Sequence, residues 1–259
     1  MFDPGQCPTD RVVSDADARR LAVGPPDFAP KLIIFDKDGT LIDFHLMWGT
    51  WIRAIADRLQ ALTGRDLAAA LFQVVGYVPE SGQVLADGAL ALAPVPELQE
   101  LMYRLLLDHG LFVDDARRTL AEAWFVPDPV ELARPLADLY YLFGDFQRRN
   151  ITVAVATSDD HAPTVRTLER LGVAHLVAAV VGADDVLAIK PAPDMVLRAC
   201  AAVGVTPAET VMVGDNLADL QMGRAAGVGL NIGVLSGLGA AADLAPFADL
   251  LLDSIAQLM

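Results

Sequence analysis

Residues 31–36 read Lys-Leu-Ile-Ile-Phe-Asp, four apolar positions in succession between charges. An unbroken run rich in branched side chains fits a strand covered on both faces better than one with a wet side. Gly39 breaks it, and the period then changes. Trp48, Trp51, Ile52, Ile55, Leu59 and Leu62 recur at helical spacing until Gly64. Periodicity and flanking Pro or Gly predict further helices over 66–75, 95–108, 114–124 and 129–150, with a loop or hairpin over 77–94. Beyond residue 150, strands and helices alternate. Strands are predicted at 151–157, 176–181, 210–214 and 229–232, and helices at 161–171, 193–203 and 216–226.

That alternation is the pattern of an α/β fold, a parallel sheet with helices on both faces. The helix-only stretch interrupts it. The expected organisation is therefore an N-terminal extension over 1–30, a core built from 31–44 and 145–259, and a second, all-helical domain over 45–144. The extension is rich in proline, with a short helix expected at 14–21 behind Ser14.

Composition narrows the function classes. The chain has 259 residues, is 54% hydrophobic and carries a net charge of -15. So much apolar content excludes a mainly disordered chain. The negative charge argues against a non-specific nucleic-acid binder, which needs cations against phosphates. No apolar run reaches the roughly 18 residues of a membrane span, and no basic-then-apolar leader opens the chain. Cys7 and Cys200 have neither a disulfide pattern nor metal-ligand spacing. A cytoplasmic protein is expected. Of the 19 basic residues, the only lysines are Lys31, Lys37 and Lys190.

Three predicted strands end in polar residues: Asp36 and Asp38 after the first, Thr157 and Ser158 after the second, Asp215 after the fourth with Asp219 one helical turn later. Lys190 precedes a helix in the same half. In a parallel sheet these ends share the carboxyl edge, where ligands bind. Clustered carboxylates call for a cation, and hard oxygen ligands suit Mg²⁺, which also grips phosphate. One carboxylate can attack phosphorus. A second carboxyl two residues on can move the protons, while a hydroxyl and an ammonium hold the phosphoryl oxygens.

The ordered set FDKDGT (35–40), Thr157, IKPAPD (189–194) and VGDNLAD (213–219) resembles the haloacid dehalogenase (HAD) superfamily of phosphohydrolases, phosphoglycolate phosphatases in particular. The resemblance implies a HAD-type Rossmann-like core. It implies Asp36 as nucleophile and Mg²⁺ ligand, and Asp38 as general acid/base whose backbone carbonyl is a further ligand. Asp215 would be a direct ligand. Thr157 and the backbone N–H of Ser158 would hold phosphate, and Lys190 would neutralise charge. Asp219 would bind through water or brace Lys190, with Asn216 one step removed from the metal. Gly39 and Thr40 would shape the turn after the nucleophile. Asp36 and Thr157 are 121 positions apart, but Thr157 and Lys190 only 33. The insert after the first motif is similar to a cap of the first insertion type. The implied substrate is a small phosphorylated metabolite such as phosphoglycolate or a sugar phosphate, handled without nucleic acid or membrane by a monomer or homodimer. A phosphomutase of the same superfamily, or a non-catalytic regulatory binding module on the same fold, are the alternatives.

Other polar residues carry plainer expectations. Lys37 should face solvent or pair with a surface acid. Asp159 and Asp160 should cap the following helix, and Asp184 and Asp185 should lie in a solvated loop. The Trp48, Trp51 and Ile55 stripe should be core of the inserted domain. His45 and Arg53 could touch substrate, but packing or solvation is the commoner use.

Overall fold

The computed structural model describes residues 28–125 and 128–259. The expected helix at 14–21 and Cys7 lie outside the described residues. The core is a six-stranded parallel sheet. Its strands are β1 (Leu32–Phe35), β2 (Thr152–Ala156), β3 (Ala179–Val181), β4 (Thr210–Gly214), β5 (Leu230–Val234) and β6 (Leu250–Leu252). Their spatial order is β3-β2-β1-β4-β5-β6. Register is level at the centre: Leu32 lies opposite Thr152 and Thr210, and Phe35 opposite Val155 and Val213. β1, β2 and β4 therefore finish side by side.

Alternation of side chains across the sheet separates two apolar layers. Ile33, Phe35, Val153, Val155, Val211 and Val213 pack on one face with Phe143 and Phe146. Leu32, Ile34, Ala154, Ala156 and Met212 pack on the other with Met195, Val196 and Met222. Both faces are covered, as the unbroken apolar runs predicted, and each such side chain contributes roughly 1.5–3 kcal/mol on burial. β6 adds an edge strand that the hydrophobic pattern did not single out. The predicted strand at 176–181 shortens to β3, because a single 3₁₀ turn, Ala174–Leu176, occupies its start.

The described residues divide into two compact units, one containing 28–43 with Ala133–Met259, the other lying within Phe44–Leu132. The helix expected over 129–150 is broken. Pro135 pairs as an isolated bridge with Ile42 and separates the turn Pro129–Leu132 from the helix Leu139–Arg148. A proline inside a helix removes a hydrogen bond and clashes with the preceding turn. The second piece starts afresh, with the Asp138 side chain accepting from the Tyr141 N–H at 3.0 Å. Its Phe143 and Phe146 rings lie 5.7 and 6.2 Å from Phe35, so it belongs to the core. The division thus falls at Leu132/Ala133, earlier than the expected 144/145. Around it two stretches run antiparallel: Asp43 donates to Arg134 O at 2.8 Å, and Leu136 donates to Leu41 O at 2.9 Å.

The inserted unit is built mainly of the helices Phe44–Thr63, Ala68–Val75, Val95–Asp108 and Val113–Ala123. It is not all-helical. Tyr77–Val78 and Gln83–Val84 form a small antiparallel hairpin. Gly76 and Gly82 sit at φ 76° and 73° around it, a conformation that costs glycine little. Trp51 is buried and its indole N–H donates to Phe125 O at 2.9 Å. Arg53 is used internally, donating to the Tyr77 hydroxyl at 2.7 Å and to Pro79 O at 2.8 Å. His45 Nδ1 accepts from Val84 N at 3.1 Å. Among the described residues no helix is long and apolar enough to cross a membrane.

Candidate active site

The level register puts Asp36, just past β1, next to Asp215, just past β4. Asp36 N donates to Val213 O at 2.9 Å, so the main chain is still in the ladder where the first carboxylate emerges. Asp219 joins them from the first turn of the helix Leu217–Ala226. One oxygen of each of Asp36, Asp215 and Asp219 lies within 4.8 Å of the others, and all three residues are buried. Lys190 reaches in from the loop after β3. Its Nζ lies 2.5 Å from Asp36 Oδ1 and 2.6 Å from Asp219 Oδ1. Of the two roles expected for Asp219, contact with Lys190 is the one visible here.

The surroundings hold these groups still. Asp215 Oδ1 accepts from the Thr40 hydroxyl at 3.1 Å, and Oδ2 from Leu238 N at 2.9 Å. Asp219 Oδ2 accepts from Asn216 N at 3.1 Å, while Asn216 Oδ1 accepts from Ala218 N at 3.1 Å. Asn216 is therefore the exposed N-cap that fixes Asp219, a reciprocal capping arrangement. Gly39 has φ 86°, and a Cβ there would come within 2.6 Å of the Asp215 carboxylate. The turn after Asp36 thus needs glycine both for its backbone and for the approach of Asp215.

Electrostatically the cluster is unbalanced. Burial raises the Asp36 pKa to about 6 against the pull of Lys190. Burial, then the charges of Asp36 and Asp219, push Asp215 well above the usual carboxylate range. Burial alone would lower Lys190, but Asp219 and Asp36 outweigh it and hold the ammonium above its ordinary value. With all three acids ionised, three carboxylates would face one ammonium and leave two surplus negative charges in a buried place, which is why the protein alone holds the protons of Asp36 and Asp215 more tightly. Such a set of hard oxygen donors fits a divalent cation of the Mg²⁺ type.

Asp38 is not one of the three clustered acids. It is met by Lys37, whose Nζ lies 2.8 Å from Oδ1 and 2.6 Å from Oδ2. Lys37 is 1% exposed and so does not face solvent; of its two expected roles, pairing with a surface acid is the one met, its Nζ lying 2.9 Å from Oδ2 of the 46% exposed Asp159 side chain. The reason is tertiary: the end of β2 brings Asp159 alongside the turn after β1, so the lysine has two acids within the protein. Asp159 serves Lys37 rather than capping the helix His161–Arg170. Asp160 makes no side-chain cap either. That work falls to Asp184, which accepts from His161 N at 2.7 Å; Asp185 lies 2.7 Å from the His161 ring Nδ1 and accepts from Gly182 N at 2.9 Å. These two acids brace β3 to the neighbouring helix from a 3₁₀ turn, Ala183–Asp185, and Asp184 is exposed as expected. Burial opposes ionisation of Asp185, but the Gly182 and His161 hydrogen bonds keep its carboxyl below the usual range. Thr157 is buried at the end of β2, its hydroxyl accepting from Asp159 N at 3.2 Å, while Ser158 is exposed.

One part of the site was not anticipated. The loop after β5 closes around Asp215 from the other side. Ser236 donates from its hydroxyl to Gly39 O at 2.7 Å, and Gly239 N donates to Asp215 O at 3.0 Å. A Cβ on Gly237 would fall 1.9 Å from Asp215 Oδ2. The run Ser236-Gly-Leu-Gly239 directly after a buried strand is the signal that a close approach was coming.

A family profile described as haloacid dehalogenase-like hydrolase matches residues 30–227. The chain belongs to this family. Its relatives place it with the family's phosphatases: the phosphoglycolate phosphatase of Rhodospirillum rubrum is 30% identical over 207 residues, 77% of each chain. Solved structures of the same fold include a Thermotoga maritima protein assigned as a β-phosphoglucomutase. It has a TM-score of 0.60 and 19% identity, over 88% of this chain and 95% of that one. A subfamily IA HAD-superfamily hydrolase from Geobacter sulfurreducens gives a TM-score of 0.57 at 19% identity, over 83% and 91%. In this haloacid dehalogenase-like chain, the four motifs read from the sequence fall inside the matched span.

Proposed function

We propose that the protein hydrolyses a small phosphomonoester, of the phosphoglycolate or sugar-phosphate type, through a covalent phosphoenzyme on Asp36. The observation that carries this reading is the buried cluster of Asp36, Asp215 and Asp219 with Lys190 at the carboxyl edge of the sheet. A nucleophile needs a fixed position and a reason to be ionised; Lys190 on its oxygen supplies both. In the first half-reaction a carboxylate oxygen of Asp36 bonds to phosphorus as the ester P–O bond breaks. The Asp38 carboxyl passes its proton to the departing oxygen. In the second, Asp38 takes a proton from water as the water oxygen bonds to phosphorus, and the Asp36–phosphorus bond breaks to release phosphate. Burial raises the pKa of Asp38 despite the pull of Lys37, which suits a group that must hold a proton before giving it. Thr157 and the backbone N–H of Ser158 are suited to the remaining phosphoryl oxygens.

Asp36 and Asp215, with the Asp38 backbone carbonyl, would hold Mg²⁺, with Asp219 and Asn216 behind them. Bound there, the ion would offset the surplus negative charge and polarise the phosphoryl oxygens. The inserted unit, Phe44–Leu132, is read as the cap that selects the substrate.

The test is phosphate release from a panel of phosphoglycolate, sugar phosphates and nucleotides, with wild type and Asp36→Asn side by side. The expected result is turnover by wild type, abolished by chelation and restored by Mg²⁺, and none by a folded Asp36→Asn. Near-normal turnover in that variant, or turnover indifferent to metal, overturns the mechanism.

A further inference from the structure

Lys37 is the buried charge that the reaction as written leaves idle. It stands between Asp36 and Asp38 in the chain, and it is 1% exposed. An ammonium has three protons, and here three carboxylate oxygens lie within 3 Å: both of Asp38, at 2.8 and 2.6 Å, and Oδ2 of Asp159, at 2.9 Å. Taking an ammonium out of water is costly, and an apolar residue of the same volume would fill the space more cheaply. A lysine kept there needs a purpose that a methionine could not serve.

The anchor is asymmetric. The Asp159 side chain is 46% exposed and is fixed to the main chain just past β2, beside Thr157. Asp38 is on the turn whose Gly39 packs against Asp215. Lys37 thus ties the carboxyl edge of β2 to the turn after β1 at one carboxyl group. Without it, Asp38 and Asp159 would face each other as like charges, each able to rotate away.

We propose that Lys37 is a positioning residue: anchored on Asp159, its ammonium holds the Asp38 carboxyl group where it delivers a proton to the leaving oxygen. This rests on the reading of Asp38 as proton donor given above. Proton delivery matters in proportion to how poor the leaving group is. An alkyl ester oxygen must be protonated as it departs, whereas a dinitrophenolate leaves unaided. The effect must appear in kcat/KM, which reports the steps up to transfer of phosphorus to Asp36.

The experiment measures kcat/KM for phosphoglycolate and for 2,4-dinitrophenyl phosphate in wild type, Lys37→Met, Asp159→Asn and Asp38→Asn. Lys37→Met keeps the apolar stem and removes the charge. It should lose about 10²-fold on phosphoglycolate, the lower end of a general-acid contribution, and less than about 3-fold on the aryl ester. Asp159→Asn should show the same preference at smaller size, about 5- to 10-fold, because Asp38 still holds the lysine. Asp38→Asn must show the preference in its strongest form; if it does not, the proton-donor reading itself fails. If Asp38→Asn shows it and Lys37→Met loses equally on both esters or on neither, the positioning role alone is overturned. Should Lys37→Met fail to fold by circular dichroism, Asp159→Asn decides, since its partly exposed site tolerates the change. Leaving-group-dependent loss there sustains the proposal, and an unchanged ratio of the two esters overturns it.

Discussion

Two lysines sit in this core, each pinned between two carboxylates at contact distances of 2.5–2.9 Å, and they solve different problems. Lys190 comes from the loop after β3 and meets Asp36 and Asp219, with Asp215 unpaired by any ammonium beside them. Lys37 meets Asp38 and Asp159, the latter facing water in part. The first site, once its acids ionise, would carry two surplus negative charges in a buried place that only a cation could offset. The second keeps one, largely screened by solvent, and is satisfied. Similar ion-pair geometry therefore fits a proposed binding centre in one case and a proposed clamp in the other. What separates them is the charge left over and whether water can reach it.

Removing Lys190 should hurt most. Lys190→Met leaves three buried carboxylates with no ammonium, and breaking a buried pair in this way costs about 3–5 kcal/mol. Denaturant unfolding of the metal-free protein should show that loss and phosphatase assays no turnover. Lys37→Met should cost less stability, since Asp159 can turn to water. A larger loss for Lys37→Met than for Lys190→Met would invert the comparison.

Gly237→Ala tests the cation site from the side of the β5 loop. The new methyl would collide with Asp215 Oδ2. Accommodating such an overlap costs about 1–3 kcal/mol. The measurement is a Mg²⁺ titration of activity beside a urea melt; weaker apparent Mg²⁺ affinity with lower stability is expected. Unchanged Mg²⁺ dependence would mean the loop does not help to hold Asp215.

The smallest effect concerns Asp185. Its carboxyl is held below the usual range in the folded protein, by Gly182 and His161 against burial. Its contribution is therefore complete above the unfolded value, near pH 4, and fades as pH falls through the lowered folded one. Wild type should be slightly more stable than Asp185→Asn near neutral pH, and the two should converge under acid. A gap that widens toward low pH would contradict the assignment.

The clustering of acids at the carboxyl edge was readable because these residues end buried strands, where a carboxylate has no bland use. Asp36 and Asp215 follow apolar runs whose register the parallel sheet then makes level. For Lys37 the choice between solvent and a surface acid stays open in the sequence, and only the fold decides for the acid. Nothing in the lysine's neighbourhood along the chain tells that Asp159, beyond another strand, will lie within 2.9 Å. The brace made by Asp184 and Asp185 was hidden likewise, since their partner His161 is remote in sequence. The break at Pro135 was a different failure: the proline stood in the middle of the predicted helix and its steric rule was decisive. The Ser236–Gly239 loop had a weak sign in its glycines, but which residue they would admit depends on the fold.

The antiparallel pair that joins Leu41–Asp43 to Arg134–Leu136 has a consequence for how such a chain can be rebuilt. The two points where the main chain leaves and re-enters the core are hydrogen-bonded to each other. The excursion between them is, to the core, a closed loop, and doubling the length of a flexible loop adds only about 0.6 kcal/mol of closure entropy. The core is thus nearly indifferent to the size of what it carries there. A shorter turn or a foreign domain spliced between Asp43 and Arg134 meets the same anchorage, so the inserted unit can be exchanged at this joint without redesigning the sheet.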